Sequence, residues 1–505
     1  MADHAPYFAA LDYGTGGAKC AIFDAGGRCC AVAREPWTYS HAPFELEGIN
    51  RGYAFDPQAF WAAMSRCARA ALSESGLAPG AVKGIATTAQ RLGAVFLDAQ
   101  GREIYAGPNM DGRGFAGALE IMDKVDMQRA IRISGHWPPF IFSLARLIWF
   151  RNDPAHARVA HVLTLNDWLS YRLSGALSSE PSNACESLLL DVSRRDWSRE
   201  ILDLFEVDEH LLPPVVEPGT QIGKVSPEAA EATGFAAGTP VFAGGGDTQC
   251  ALLGSDVVQV GAAGAVLGTT TPVMVVTEQP EFDLTGKLWT GCHVLPERWT
   301  FESNAGDTGI AYEWLVGILG LDGNDSLRRA EELVATLPPE PQSALTFAGP
   351  QLFDLVNFNP GRPLAILYRY PLFTERPTRA TFLRAFMENV ACAIRGNLEQ
   401  LESARGTPAS TLTLSGGMTR SPGLRASFAR ILRTPLLISE EPNATALGAA
   451  VLAASGLGTY DSVATAAAAM VRRHVLEPDT THSDAYEERY ARWRELDATL
   501  KGLSL

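Results

Sequence analysis

Three glycines followed by a carboxylate, Gly244-Gly245-Gly246-Asp247, form the stretch of this chain best suited to chemistry. A short apolar run (Pro240, Val241, Phe242, Ala243) reads as a buried strand that ends in these glycines, with a helix-like segment after them. Glycines at such a place open backbone angles closed to other residues and let a bulky anionic group approach the main chain. Asp247 then stands at the mouth of the helix, beside whatever the glycines admit. An ordinary helix N-cap is its other use. Near the start of the chain, Asp12-x-Gly14-Thr15-x-x-x-Lys19 has a comparable content. A hairpin tip there offers N–H groups and a Thr hydroxyl to phosphate oxygens. Asp12 can hold a hydrated Mg²⁺ and Lys19 can neutralise charge. A plain hairpin with Asp12 facing solvent is the alternative. Gln90 and Arg91 follow a β-branched run and fall at a strand's C-terminal end, where α/β folds place ligand contacts. Arg91 read as a surface arginine stands level with that. Asp111 and Arg113, in the polar break Asn109–Arg113, are read as a surface ion pair, which contributes little.

The elements that must position these residues are legible as periodicity. Strands are expected at Tyr7–Tyr13, Ala18–Asp24 and Arg28–Arg34, with turns at Gly14–Gly17 and Ala25–Gly27. A helix from Phe55 to about Ser75 opens on Asp56-Pro57, cap then first-turn proline. Strands Val82–Thr88 and Ala94–Asp98 follow, then a buried helix over Ile141–Arg151 with Arg146 embedded in it. Leu163–Leu173 and Leu188–Asp191 are further helix and strand material. In the second half, Val257–Gly261 and Ala263–Leu267, the tip Gly268-Thr269-Thr270-Thr271 and Pro272–Val276 repeat the strand, Gly-Thr tip, strand pattern of residues 7–24. Two such hairpins, one opening each half, suggest an internal duplication with one nucleotide-binding cleft between the halves. A helix is expected to start within Gly306–Leu315, with Trp314 in the core. Thr378–Leu401 is a long helix with apolar residues Leu383, Phe386, Met387, Val390 and Ile394 near 3.6 spacing. Strand Thr411–Leu414 ends in Ser415-Gly416-Gly417. Helix Gly423–Leu432, strand Pro435–Ile438 and the small-residue helix Ala444–Ala454 follow. Residues 484–500 read as a charged terminal helix with a solvated face.

Composition bounds the partners. The chain has 505 residues, 46% hydrophobic and 20% charged, which suits two globular domains with proper cores. A net charge of −15 argues against a nucleic-acid backbone or an anionic membrane. The eight cysteines are scattered without C-x-x-C, as expected of free thiols in a reducing compartment rather than of a zinc site or disulfide framework. No basic n-region with an apolar core opens the chain, and no apolar run reaches membrane-spanning length. A cytoplasmic protein is expected.

Asp12-x-Gly14-Thr15, Gly244-Gly245-Gly246-Asp247, Gly268-Thr269 and Ser415-Gly416-Gly417 agree in order and spacing. Together they resemble the FGGY carbohydrate kinases of the actin–hexokinase-like ATPase superfamily, over essentially the whole chain. Residues 141–153 (IFSLARLIWFRND) are similar to that family's first signature, with Arg146 in place of its Lys and Ile141 in place of an aromatic or small residue. The resemblance implies two α/β, actin-like (ribonuclease H-like) domains around a catalytic cleft. The expected division is 1–253, with the sugar site, catalytic base and first phosphate hairpin, and 254–505, with nucleotide binding. It implies ATP and Mg²⁺ as cofactors and a small sugar or polyol as partner, and leaves a homodimer open. Carried over by position, Asp247 is the base that takes the proton from the attacking hydroxyl. Asp12 and Asp247 are the metal residues. Gly14, Thr15 and Lys19 face the transferring phosphate. Gly268 and Thr269 grip the nucleotide phosphates, and Gly309, Gly416, Gly417 and Ser421 border adenine and ribose.

Xylulokinases carry Met-His where this chain has Arg91-Leu92, and glycerol kinases Arg-Glu. The autoinducer-2 kinase branch shares the Arg and has strings similar to PSNA (181–184), RDW (195–197), GGGDTQ (244–249) and ATFLRAFMENVA (380–391). The expected function is ATP-dependent phosphorylation of a small sugar, ketose or polyol, with the autoinducer-2 precursor as a candidate. The substrate pocket is expected to hold Gln90, Arg91, Asp111, Asp247 and Gln249. A xylulokinase or other pentulose or tetritol kinase is the alternative within the family. An actin-like or chaperone ATPase is the alternative outside it.

Overall fold

The computed structural model describes residues 6–504 apart from 45–50, 322, 324, 342, 358, 360–361 and 369–375. The chain divides into two compact units. The first takes in residues 1–260, 276–301 and 443–471, and the second residues 261–275, 302–442 and 472–505.

In the first unit the strands are β1 (Tyr7–Gly14), β2 (Gly17–Asp24), β3 (Cys29–Pro36), β4 (Val82–Ala89), β5 (Ala94–Asp98), β6 (Glu103–Gly107), β7 (Val159–Thr164), β8 (Gln221–Lys224) and β9 (Pro240–Gly246). The main sheet has the order β8-β9-β4-β1-β2-β3, and a smaller sheet the order β6-β5-β7. β1 and β2 form the expected hairpin, with Gly14 opposite Gly17 and Asp12 opposite Lys19. β1, β4 and β9 run parallel, Tyr13 beside Ala89 and Ala89 beside Gly246. That register brings the C-terminal ends of all three strands, and so Thr15, Gln90 and Asp247, to one edge of the sheet. The helix Pro57–Ser75 is capped by Asp56 as expected and contributes Phe60, Met64, Cys67 and Ala68 to the core against β1 and β2. The small-residue helix Ala444–Gly456 is buried along most of its length, its alanines and Val451 packed with Phe8, Phe23 and Phe242.

The second unit adds β10 (Ala262–Val266), β11 (Thr270–Thr277), β12 (Trp299–Asp307), β13 (Thr411–Ser415), β14 (Leu436–Ser439) and β15 (Arg473–Leu476), which lie in the order β12-β11-β10-β13-β14-β15. Its hairpin is antiparallel, β10, β13 and β14 are parallel, and β15 closes antiparallel. A seventh strand, Trp289–Cys292, lies beyond β12. The other six have the order of the first sheet and the same sense at each of these pairs, which carries the duplication suggested by the two Gly-Thr tips. The helix Arg379–Arg405 buries all five of the apolar residues expected on its core face.

Several local expectations are corrected. β9 runs through Gly244–Gly246, and none of these glycines has a positive φ. They serve close approach instead: a Cβ on Gly244 would overlap the carbonyl oxygen of Thr87, where the β9–β4 register shifts. Val257–Val260 is turn and loop, because the strand begins only at Ala262. The helix after β12 is Gly309–Ile318, and Trp314 is 43% exposed on it rather than in the core. The terminal helix Ser483–Lys501 is not simply solvated, since it buries Tyr486, Tyr490 and Trp493 among its charges. Among the described residues no helix is long and apolar enough to cross a membrane, and all eight cysteines are free of disulfides.

Gly244→Ala is expected to lose roughly 2–3 kcal/mol of stability, the usual range for overpacking against an unyielding neighbour. Denaturant or thermal unfolding measures it. An unchanged midpoint means that β9 can move off Thr87 freely.

Candidate active site

The parallel strand ends of the first unit assemble a polar cluster. At the β1–β2 tip, Thr15 accepts from Asn109 Nδ2 at 3.0 Å, and its backbone oxygen accepts from Tyr39 and Trp37. Gln90 donates through Nε2 to the Tyr39 hydroxyl at 3.0 Å, and its backbone N–H donates to the Tyr13 carbonyl. Lys19 Nζ lies 2.8 Å from Asp12 Oδ2, a cross-strand ion pair with the carboxylate almost fully buried. Asp12 therefore does not face solvent.

Asp247 is the first residue of the helix Asp247–Leu253, and Gly246 holds the cap position without a side-chain bond. Its Oδ1 accepts from the N–H of Thr248 at 2.7 Å, so its carboxylate does not cap the helix. Burial pushes the Asp247 carboxyl up to about 6, Arg91 opposes this, and the Asp12 charge adds to it. A Cβ on Gly246 would stand 2.6 Å from Gln249 Oε1 and 3.3 Å from Arg91 Cγ, so these two side chains flank the residue before Asp247. Gln249 is fully buried, yet neither its Oε1 nor its Nε2 has a hydrogen-bond partner among the described residues. Arg91 is not a surface arginine. Its side chain is 10% exposed and donates from Nη1 to Glu186 Oε1 at 2.7 Å.

Asp111 and Arg113 pair at 2.9 Å, but the pair is buried rather than on the surface. Asp111 accepts as well from the Tyr105 hydroxyl and from the Tyr53 N–H. Burial raises its carboxyl, and Arg146 and Arg113 outweigh that and hold it below the usual range. Its carboxylate oxygens are thus taken up by protein donors. Arg146, fully buried in the helix Ser143–Phe150, donates to the carbonyls of Leu92, Pro108, Asn109 and Asp111. Leu92 has φ 68°, a left-handed conformation that a branched side chain seldom adopts. The arginine fork holds that strained turn directly after Arg91.

Residues that sequence reasoning missed are Glu186, His136 and Ser182. Ser182 Oγ accepts from the Gly246 N–H at 2.9 Å and is itself fixed by Glu180. One signal was available: Glu186 is a lone charge in an apolar run, Ala184-Cys185-Glu186-Ser187-Leu188. His136 carries no such mark.

In the second unit, Gly268 and Thr269 form the exposed tip between β10 and β11. The N–H groups of Thr308 and Gly309 donate to the tip carbonyls, so the helix Gly309–Ile318 starts against it. Gly416 has φ 97°, and a Cβ there would overlap the Leu267 carbonyl, so this turn requires glycine. Gly417 beside it is exposed with open space around it. Ser421 caps the helix Pro422–Ile431, accepting from Leu424 and donating to Glu331. Its hydroxyl is therefore occupied within the protein.

A family model for the N-terminal domain of the FGGY family of carbohydrate kinases matches residues 7–254, and the C-terminal domain model matches residues 263–457. The chain is 28% identical over 512 residues to an autoinducer-2 kinase of Klebsiella pneumoniae, covering 98% of this chain and 94% of that protein. The xylulose kinase of Rhodospirillum rubrum superposes with a TM-score of 0.80 at 23% identity, covering 98% and 99% of the two chains. The glycerol kinase of Plasmodium falciparum, solved with ADP, gives 0.80 at 18% identity over the whole of both. The architecture is the two-domain actin-like ATPase fold of these sugar kinases.

Arg146→Lys is expected to cost about 2–3 kcal/mol, because one ammonium cannot satisfy four carbonyls spread over two loops. Chemical denaturation measures the loss. A variant as stable as the parent shows that these carbonyls find other donors.

Proposed function

The chain belongs to the FGGY family of carbohydrate kinases, and from that premise we propose that it phosphorylates a small, linear or readily opened hydroxyketone or polyol with ATP. Family membership decides for a sugar kinase over an ATPase that works on a macromolecular partner. The observation that carries the substrate reading is the Gln249 amide, fully buried and unpaired on both its oxygen and nitrogen beside Asp247. A buried amide without partners costs on the order of 1–3 kcal/mol, and a hydroxylated ligand at that place relieves it. Arg91, paired through Nη1 with Glu186, adds a planar guanidinium whose geometry suits vicinal oxygens. Leu92 offers no polar group where xylulokinases place a histidine. These features favour the autoinducer-2 precursor over D-xylulose, in line with the autoinducer-2 kinase relatives. Gln90, which follows Ala89 beside Gly246, is assigned to the same pocket, while Asp111 supports it through Arg113 and Tyr105 instead of through free carboxylate oxygens.

Asp247 acts as the general base. With a pKa near 6 it is ionised at neutral pH and still a better proton acceptor than an ordinary Asp. Kinases of this family use ATP and are generally Mg²⁺-dependent. Asp12 and Asp247 fit such an ion: the Asp12 charge already raises the proton affinity of Asp247, so a cation near both relieves their repulsion. Among the described residues no group of three or more His, Cys, Asp or Glu side chains could hold a metal. That agrees with Mg²⁺, which takes one or two carboxylates and completes its shell with phosphates and water. When bound, the ion neutralises charge on the phosphates. We assign residues 1–253 the sugar site and base and residues 254–505 the nucleotide, with Gly268, Thr269, Gly309, Gly416, Gly417 and the turn at Ser421 lining its place.

For Asp247→Asn, turnover is expected to fall by ~10²–10⁴, the range of general-base assistance. In the parent enzyme kcat/KM should rise with pH through a midpoint near 6, where the base loses its proton. Stability moves the other way. A raised carboxyl pKa means stability present below about pH 4 and lost as pH rises through 6, so Asn, which never ionises, should unfold later at pH 7. Discounted for partial exposure, the gain is on the order of 1–2 kcal/mol. Retained turnover in the Asn variant rejects the base.

Specificity constants for D-xylulose, glycerol, erythritol and the linear autoinducer-2 precursor test the substrate, in the parent and in Arg91→Ala. The precursor is expected to rank first and to lose on the order of tenfold to a hundredfold in the variant. If D-xylulose ranks first and is indifferent to Arg91→Ala, the pentulose kinase reading replaces this one.

A further inference from the structure

The side chain of Arg91 is held by an acid that lies 95 residues further along the chain. Glu186 sits in the short turn Cys185–Ser187 with its side chain 1% exposed. Its Oε1 accepts from Arg91 at 2.7 Å, and its Oε2 faces His136 Nε2 at 3.5 Å. Both Oε2 and Nε2 are closed to water and have no hydrogen-bond partner among the described residues. His136 Nδ1 lies 2.6 Å from the Ser134 carbonyl oxygen, which can only accept, so Nδ1 carries a proton. A bare Nε2 would then set two lone pairs against each other in a dry site, a costly arrangement. One proton therefore lies across the contact. Burial raises the Glu186 carboxyl, and the Arg91 charge and His136 outweigh that and hold it well below the usual range. The imidazole is fixed in turn by the rings of Trp289 and Phe142, with centroids at 5.1 and 5.4 Å.

We propose that Glu186, clamped between Arg91 and the His136 ring, is a positioning residue that aims the Arg91 guanidinium beside Asp247 and so sets selectivity among polyols and hydroxyketones. The proposal rests on the reading of Arg91 as a substrate contact. A guanidinium is planar, so anchoring one terminal nitrogen fixes the direction of its remaining N–H groups. Sites that discriminate by hydrogen bonds need that direction fixed, because a donor that swivels serves many ligands equally. The clamp also compensates for Leu92: the neighbouring position supplies no acid to hold Arg91, and Glu186 supplies one from a distant segment of the chain.

The test is a double-mutant cycle on KM for the best-used member of the panel glycerol, erythritol, D-xylulose and the linear autoinducer-2 precursor. Glu186→Gln is expected to raise that KM on the order of tenfold while the ATP KM stays within about twofold. In an Arg91→Ala background the same change should add less than about twofold, since the group it positions is gone. An equal factor in both backgrounds overturns the positioning role. If Arg91→Ala alone leaves the sugar KM unchanged, it is the substrate reading of Arg91 that fails, and the two failures are told apart. Should Glu186→Gln not fold, His136→Phe and His136→Gln carry the test. Phe keeps the ring packing without the donor and should raise the sugar KM several-fold, and Gln, whose amide can donate to Glu186, should restore it. Identical sugar KM values for His136→Phe and the parent reject the clamp.

Discussion

The buried guanidinium of Arg146 is the interaction on which the geometry of the proposed sugar site depends. A charge with no exposed surface must be matched by acceptors or it destabilises the fold by several kcal/mol. Here the acceptors are main-chain carbonyls of Leu92, Pro108, Asn109 and Asp111, drawn from two loops that follow β4 and β6. Satisfying the arginine therefore fixes both loops at once. The turn after Arg91 is held in a left-handed conformation that leucine does not favour. The loop after β6 is held with Asn109 in reach of Thr15 and with Asp111 between Tyr105 and Arg113. One side chain on one helix thereby transmits the position of the unit's core to three residues at its ligand edge.

Parallel strand order explains why those residues meet at all. Because β1, β4 and β9 run in one direction with Tyr13, Ala89 and Gly246 in register, whatever follows each strand emerges at the same edge. The second unit repeats the arrangement with β10, β13 and β14, so Gly268-Thr269 and Gly416-Gly417 share an edge there, tied by the Leu267–Ser415 backbone bond. Duplicating one sheet thus produces two edges of the same geometry, which then differ only in what the strand ends carry. The first carries carboxylates and amides, and the second carries glycines with little side chain.

What was legible in the sequence follows from this division. Most strands, the long helices and the Asp56 cap were read correctly because each is set within a few residues: Asp56-Pro57 before a helix, or Leu383 to Ile394 at helical spacing. The strand expected at Val257–Gly261 is turn and loop. The Gly-Thr tips and the Gly-Gly-Gly-Asp run were visible because backbone demands restrict residue type locally. Burial was less readable. Asp111–Arg113 looked like a surface pair because i, i+2 charges usually are one, and nothing nearby revealed that Arg146 and Tyr105 enclose it. Trp314 looked like core because tryptophan usually is. The role of the glycines at 244–246 was misassigned to backbone angle, since the groups that leave no room for a side chain, the Thr87 carbonyl at Gly244 and Val294 at Gly245, lie on distant segments. Glu186 and His136 belong to the same class: their meaning is a contact between distant segments, and no local pattern encodes it.

Electrostatics at the sugar end ties specificity to chemistry. Asp247 owes its raised proton affinity to burial and to Asp12, and Arg91 holds that rise in check. Arg91 is therefore both the proposed substrate donor and a determinant of the base's strength. Removing it withdraws a positive charge beside a buried carboxylate, which makes the base harder to ionise even where the lost hydrogen bonds to substrate matter little. Glu186 is paired with the same guanidinium at 2.7 Å, so the charge that Asp247 feels is one already engaged by another acid. A change at position 91 therefore also moves the proton affinity of Asp247, so the proposed specificity residue and the proposed base are not independent of each other.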